Sequence, residues 1–208
     1  LVGTGLFAMF LCLSIYLQSF LQYSSLKSGF AFLPFSAGII VFAGVASQLL
    51  PKIGPKPLMT TGLVAASLGL LLLSRITPTS TYVADILPAL LIMSSGMALF
   101  FIPSASTGLH NAGEHDAGVA GAVLNTSQQI GGSLGAALLN TVAISSASAY
   151  AKVNTNLGEN VQVYAQVHGF STAFKFGAGF LLLGAIVSFF SLNVGKDSLV
   201  ESETGAIH

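Results

Sequence analysis

Six stretches of this chain carry no charged side chain: residues 1–26, 28–51, 57–74, 86–113, 117–151 and 176–195. A helix needs about 20 mostly apolar residues to cross the hydrocarbon core of a bilayer. Each stretch reaches or approaches that length, and the charges between them act as punctuation: Lys27, then Lys52 and Lys56, then Arg75. Barrel strands would be about half as long and would alternate in polarity, which these stretches do not. The pattern predicts an all-α integral membrane fold with six spans, near 1–22, 28–50, 57–75, 83–104, 117–148 and 169–193.

Composition agrees. Only 7% of the 208 residues are charged and 53% are hydrophobic, against roughly 25% charged in an ordinary soluble domain. Seven basic residues balance seven acidic ones, so no net field points to nucleic acid or to an acidic substrate. Cys12 is alone, reads as a small buried hydrophobe, and leaves no disulfide within the chain. The first apolar segment is too long for a signal-peptide core and lacks a basic leader. The chain starts at Leu1 inside an apolar run, which leads us to expect a fragment whose N-terminal portion is missing.

Six spans place both ends on one side of the membrane. Lys52, Lys56 and Lys196 collect on that side, and Lys27, Arg75, Lys152 and Lys175 (read as lying near a helix end) on the other. Three against four does not orient the chain by the positive-inside rule. The clustered basic feature is the loop "PKIGPKP", Pro51 to Pro57, whose three prolines and one glycine are expected to forbid helix across it. Residues 196–208 read as a polar tail.

The spans differ in kind. The third and sixth are apolar nearly all round, as lipid-facing helices are. The first ends in "SIYLQSFLQ" with Tyr16 and Gln18; the second holds Phe32 and Pro34; the fourth carries Ser95 and Met97. Polar or broken helices are tolerated where protein or an aqueous cavity receives the freed groups. Four helices therefore read as inward-facing and two as peripheral.

The fifth span, "GVAGAVLNTSQQIGGSLGAALLNT", is the most informative. At about 100° per residue, Asn125, Gln128, Gly132, Gly135, Ala136 and Leu139 cluster around the direction of Gly121, with Gln129 at the margin. Val119, Val123, Ile130, Leu134 and Ala137 fall opposite. Small residues let helices approach, so Gly131, Gly132 and Gly135 read as a packing surface containing G-x-x-x-G. Asn125, Gln128 and Gln129 offer uncharged donors and acceptors either to a neighbouring helix or to a bound molecule. The glutamines lie about 17 Å past Ala117 at 1.5 Å per residue, near mid-bilayer, where transporters place their sites.

Other chemistry is thin. His110, Glu114, His115 and Asp116 could ligate a metal, but they read more simply as a polar loop whose Asp116 caps the fifth helix. The sequon at Asn125–Ser127 sits inside a span and is not a glycosylation site. An intramembrane protease would need a base beside its serine, and every histidine lies in a loop, at a span boundary or at the tail. No phosphate loop, dinucleotide fingerprint or paired intramembrane carboxylate implies an enzyme or a cofactor. Asp85 is explained by the external end of a helix.

The stretch "AGVAGAVLNTSQQIGGSLGAALL" resembles the penultimate helix of the 14-helix drug:proton antiporters of the major facilitator superfamily, the EmrB/QacA type. "YLQSFLQYSSLKSGFAFLP", "PKIGPKPLMTTGL" and "TYVADILPALLIMSSGMALFFIP" fit the same family in order, so the likeness covers residues 1–195. It implies the C-terminal six-helix half of a 3+3 repeat architecture, preceded by about eight more helices. It also implies a plasma-membrane location, with the "PKIGPKP" loop and both ends of the chain cytoplasmic. In that family the first, second, fourth and fifth helices of each half line a central cavity, the same division that polarity gives. Of the family's cytoplasmic loop motif, Lys52, Gly54 and Lys56 remain, while Ser47 and Pro51 replace its leading glycine and its acid. The proton-coupling carboxylates belong to the other half.

The expectation is a proton-coupled multidrug efflux permease. Its cavity would be lined by Tyr16, Gln18, Phe32, Pro34, Ser95, Met97, Asn125, Gln128 and Gln129. Its partners would be membrane lipid, a small amphipathic substrate and the missing N-terminal half. A six-span binding, sensing or assembly protein without transport, or a homodimeric six-helix transporter, are the alternatives.

Overall fold

The computed structural model describes residues 1–110 and 117–191. Its helices are α1 (Val2–Ser19), α2 (Ser25–Ala31), α3 (Leu33–Ile53), α4 (Pro55–Leu73), α5 (Leu87–His110), α6 (Ala117–Val153) and α7 (Val161–Ser191). A π-helical turn at Tyr82–Ile86 leads into α5, and a 3₁₀ turn at Thr155–Asn160 joins α6 to α7. With α2 and α3 taken together, six helical segments are long and apolar enough to cross a membrane. No strand occurs among the described residues.

Three boundaries differ from expectation, the simplest being the last helix, which starts at Val161 and not near residue 169. The second span is not one helix with an internal proline. It breaks at Phe32, and Pro34 sits in the first turn of α3, where its missing N–H costs nothing. The Ala31 carbonyl at the break accepts the Tyr82 hydroxyl at 2.7 Å instead. The "PKIGPKP" segment is almost wholly helical. Pro51 lies in the last turn of α3, Pro55 opens α4, and Gly54 alone is non-helical, with φ +88°. Prolines obstruct a helix where a donor is needed, and the first turn of α4 needs none. The reversal itself falls on the residue type that takes positive φ without strain.

Alternating directions put Leu1, Gly54 and Ser191 on one side of the bundle, and Ser19, Arg75 and Val153 on the other. Most pairings repeat: α1 packs on α6 as α5 packs on α3, α1 packs on α7 as α5 packs on α4, and α4 faces α7, while α6 packs on α7 far more extensively than α3 does on α4. The helices α1 to α4 and α5 to α7 thus form two three-span units related by inversion.

Small residues set how closely these helices approach. A Cβ on Gly62 of α4 would lie 2.6 Å from the Gly96 carbonyl of α5, and one on Gly69 would lie 2.7 Å from Met93 Cβ. Two hydroxyls in the α4–α7 seam reach a carbonyl of the facing helix: Ser67 Oγ donates to Ala178 O at 3.0 Å, and Ser171 Oγ donates to Ser74 O. The core these seams enclose includes Met9, Leu13 and Leu17 of α1, Leu70 of α4, Leu90 of α5 and Phe174 of α7. On α4 the exposed stripe is Thr61, Val64, Leu68 and Leu71, at helical spacing and without charge, which suits contact with lipid. Asp85 accepts the Thr81 N–H at 2.7 Å and closes the start of the fourth span.

Candidate substrate-binding face

Helix α6 buries little of itself. Gly132, Gly135, Leu139 and Ala143 are its buried residues, spaced so that they form one narrow stripe. Against that stripe lies the start of α1. Thr4 Oγ1 donates to the Gly131 carbonyl at 3.1 Å, and a Cβ on Gly3 would lie 2.8 Å from the Gln128 carbonyl. The packing pair is therefore Gly132 with Gly135, which meet Phe7 and Thr4. Gly131, expected as the first glycine of G-x-x-x-G, is corrected: a Cβ there would meet only the Leu1 nitrogen, at 3.9 Å. What Gly131 supplies is an accepting carbonyl. Val119, Val123, Ile130 and Leu134 are all exposed on the other face, where the wheel puts them.

Asn125 and Gln128 belong to the same stripe one to two turns earlier, where their side chains are exposed beside the start of α1. With Gln129 they line a recess of about 170 Å³, closed by Gly3, Leu6 and Phe7 of α1 and Phe101 of α5. Three neutral amides thus meet two aromatic rings, and no ionisable group lines the space. Such a lining offers hydrogen bonds of either polarity to a molecule whose body packs on Phe7 and Phe101. Gly3 and Gln128 also border a larger cavity of about 410 Å³, which reaches toward the Gly54 side between Met59, Phe100 and Ser104.

The other expected cavity residues divide. Tyr16 is fully buried, stacks on Phe20 at 5.3 Å, and donates its hydroxyl to the Thr77 carbonyl at 2.7 Å. Met97 is fully buried too. Both are corrected: a polar or soft side chain on such a helix can point into the core of the six-helix bundle, and these do. Gln18 is exposed but bonds Ser14 Oγ at 3.1 Å, about 16 Å along α1 from Phe7. Phe32 packs on the Phe10 ring at 5.0 Å, beside half-buried Pro34. Half-buried Ser95 donates to the Ile92 carbonyl at 2.7 Å. The structure therefore brings together Asn125, Gln128 and Gln129, and none of the rest joins them.

Phe7 and Phe101 escaped the sequence reading. For Phe7 a signal existed, because Phe7, Leu11, Ile15 and Gln18 make the exposed stripe of α1 at helical spacing. Of the loop motif, Lys52 is exposed at the end of α3, Gly54 makes the reversal, and Lys56 Nζ stands 4.7 Å from the Phe189 ring centroid. The side chains of His110, Glu114, His115 and Asp116, and the tail 196–208, lie outside the described residues. Gly131–Gly135 also has the spacing G-x-S-x-G. Here it is continuous helix, not a strand-to-helix elbow, and Ser133 Oγ donates to the Ile130 carbonyl at 3.0 Å.

Comparison with known proteins agrees with this architecture. A model of the Major Facilitator Superfamily matches residues 1–136. The puromycin resistance protein pur8 of Streptomyces alboniger is 36% identical over 206 residues, 98% of this chain and 41% of its own length. The cephamycin export protein CmcT of Amycolatopsis lactamdurans is 32% identical over 143 residues, 68% of this chain and 29% of its own. The lincomycin resistance protein LmrB of Listeria monocytogenes is 26% identical over 181 residues, covering 86% and 38%. The chain spans less than half the length of these relatives. With six membrane-crossing helices, an inverted repeat and these matches, the chain belongs to the Major Facilitator Superfamily and is a multi-pass membrane protein.

Proposed function

We propose that this chain is the six-helix half of a drug efflux permease, and that the recess between α1, α5 and α6 holds part of the exported molecule. The observation that carries the reading is the lining itself: Asn125, Gln128 and Gln129 facing Phe7 and Phe101, with no charge. Neutral amides beside aromatic rings accept amphipathic molecules of varied shape, because no fixed charge or single geometry is demanded. The names of the relatives, resistance and export proteins for antibiotics, support the same direction of transport. In this reading the half rocks against a second half around the recess, driven by proton antiport through carboxylates outside this chain. The Gly54 side then faces the cytoplasm.

The test is efflux by the full-length protein. Gln128→Leu is expected to raise intracellular accumulation of at least one substrate severalfold at unchanged membrane expression. Val123→Leu, on the exposed opposite face, is expected to be nearly silent. Equal loss from both substitutions would sink the assignment of the recess.

A further inference from the structure

Helix α7 carries Lys175 at its middle, and not near an end as the sequence led us to expect. The side chain is exposed. Its depth follows from the seam with α4. Ser171, one turn earlier, donates its hydroxyl to the Ser74 carbonyl, and Ser74 caps the end of α4 just before exposed Arg75. Lys175 therefore sits about 6 Å inside the level at which α4 leaves the apolar layer. A lysine stem can return its ammonium to the headgroups over that distance, but an ionisable residue at such depth calls for a partner.

Below it the helix surface is notched. A recess of about 390 Å³ is lined by Lys175, Phe176, Gly179, Phe180 and Leu183, all from successive turns of α7. Gly179 creates it, since a Cβ there would meet nothing within 4 Å. From Lys175 to Leu183 the notch runs about 12 Å toward the bilayer centre. No carboxylate lines it. Asp85, an acid at the start of the fourth span, is engaged with the Thr81 N–H.

A cation at headgroup depth above an apolar channel is complementary to one kind of molecule, an anion with a hydrocarbon tail. We infer that this face of α7 is a binding site for an anionic phospholipid of the leaflet on the Arg75 side. Lys175 takes the headgroup phosphate, and one acyl chain lies over Gly179 between Phe176, Phe180 and Leu183. The recess lies on α7 alone, away from the face shared by α1, α5 and α6, so this inference does not depend on the transport reading.

The chain has no tryptophan, so Phe180→Trp provides a reporter in the notch. The intact Phe180→Trp protein is reconstituted in vesicles of brominated phosphatidylglycerol or brominated phosphatidylcholine, and quenching by the parent protein is subtracted. One favourable charge near the surface is worth about fivefold in association. The reporter is therefore expected to favour phosphatidylglycerol about fivefold, to lose that preference with Lys175→Gln, and to keep it with Lys175→Arg. Gly179→Leu, placed in open space, is expected to reduce quenching by both lipids without unfolding the protein. Soluble inorganic phosphate is expected not to compete. Equal quenching by the two lipids, a preference that survives Lys175→Gln, or displacement by free phosphate would each overturn the site.

Discussion

At the scale of single residues, the bundle is held by atoms that are missing. A Cβ on Gly135 would come within 2.5 Å of Thr4 Cα, a backbone atom that cannot turn aside. Gly135→Val is therefore expected to push α1 off α6 and to cost about 1–3 kcal/mol, as overpacking does. The measurement is the unfolding temperature in detergent. Gly121→Ala, with nothing within 4 Å of the added carbon, is the control and should leave that temperature unchanged or slightly raised. Both glycines lie on the polar stripe of the wheel, and periodicity alone cannot separate them. What separates them is whether α1 passes overhead, which depends on where two helices start relative to one another. Tyr16 shows the same limit from the other side. Its hydroxyl marked it as cavity-facing, but the Thr77 carbonyl that satisfies it sits 61 residues away in the chain.

At the scale of elements, sequence pattern placed the spans and misjudged their breaks. The prolines of Pro51–Pro57 were expected to forbid helix and Pro34 was placed inside a span, yet Pro34 and Pro55 each lie in the first turn of a helix, where a donor is not required. The break that does exist, at Phe32, depends on a partner no local pattern announces. With the Phe35 N–H turned to the Phe32 carbonyl at 3.1 Å, the Ala31 carbonyl is left for the Tyr82 hydroxyl. A buried acceptor left unmade costs about 1–3 kcal/mol. Tyr82→Phe is accordingly expected to loosen the short helix α2, seen as faster hydrogen exchange at amides such as Ser28, whose N–H bonds Ser24 O at 2.8 Å. Exchange within α4 should not change. A rise of equal size in both helices would show general destabilisation and would refute a local role for Tyr82.

At the scale of the whole molecule, the question is what α6 and α3 face. Each presents an exposed surface broader than its packed one: α6 buries a four-residue stripe, and α3 buries only Phe35, Gly38 and Ala46. On α4 the exposed stripe is narrow and, beyond Thr61, apolar, as lipid prefers. On α6 they include Asn125, Gln129, Ser133, Asn140 and Thr141. Amides and hydroxyls in contact with hydrocarbon seek partners, and interhelical hydrogen bonds between such groups are worth roughly 0.6–2 kcal/mol each. With several on one helix, association of two copies outweighs solvation of either by lipid. The 208-residue chain placed alone in a bilayer is therefore expected to self-associate through α6, detectable as two or more photobleaching steps per particle at low density. Replacing Asn125, Gln129 and Asn140 together by leucine is expected to return it to single steps, because the small residues that remain pack without directional bonds. A single-step population from the unmodified chain would mean that lipid tolerates this face, and the case for α6 as a wall awaiting a second half would fall with it.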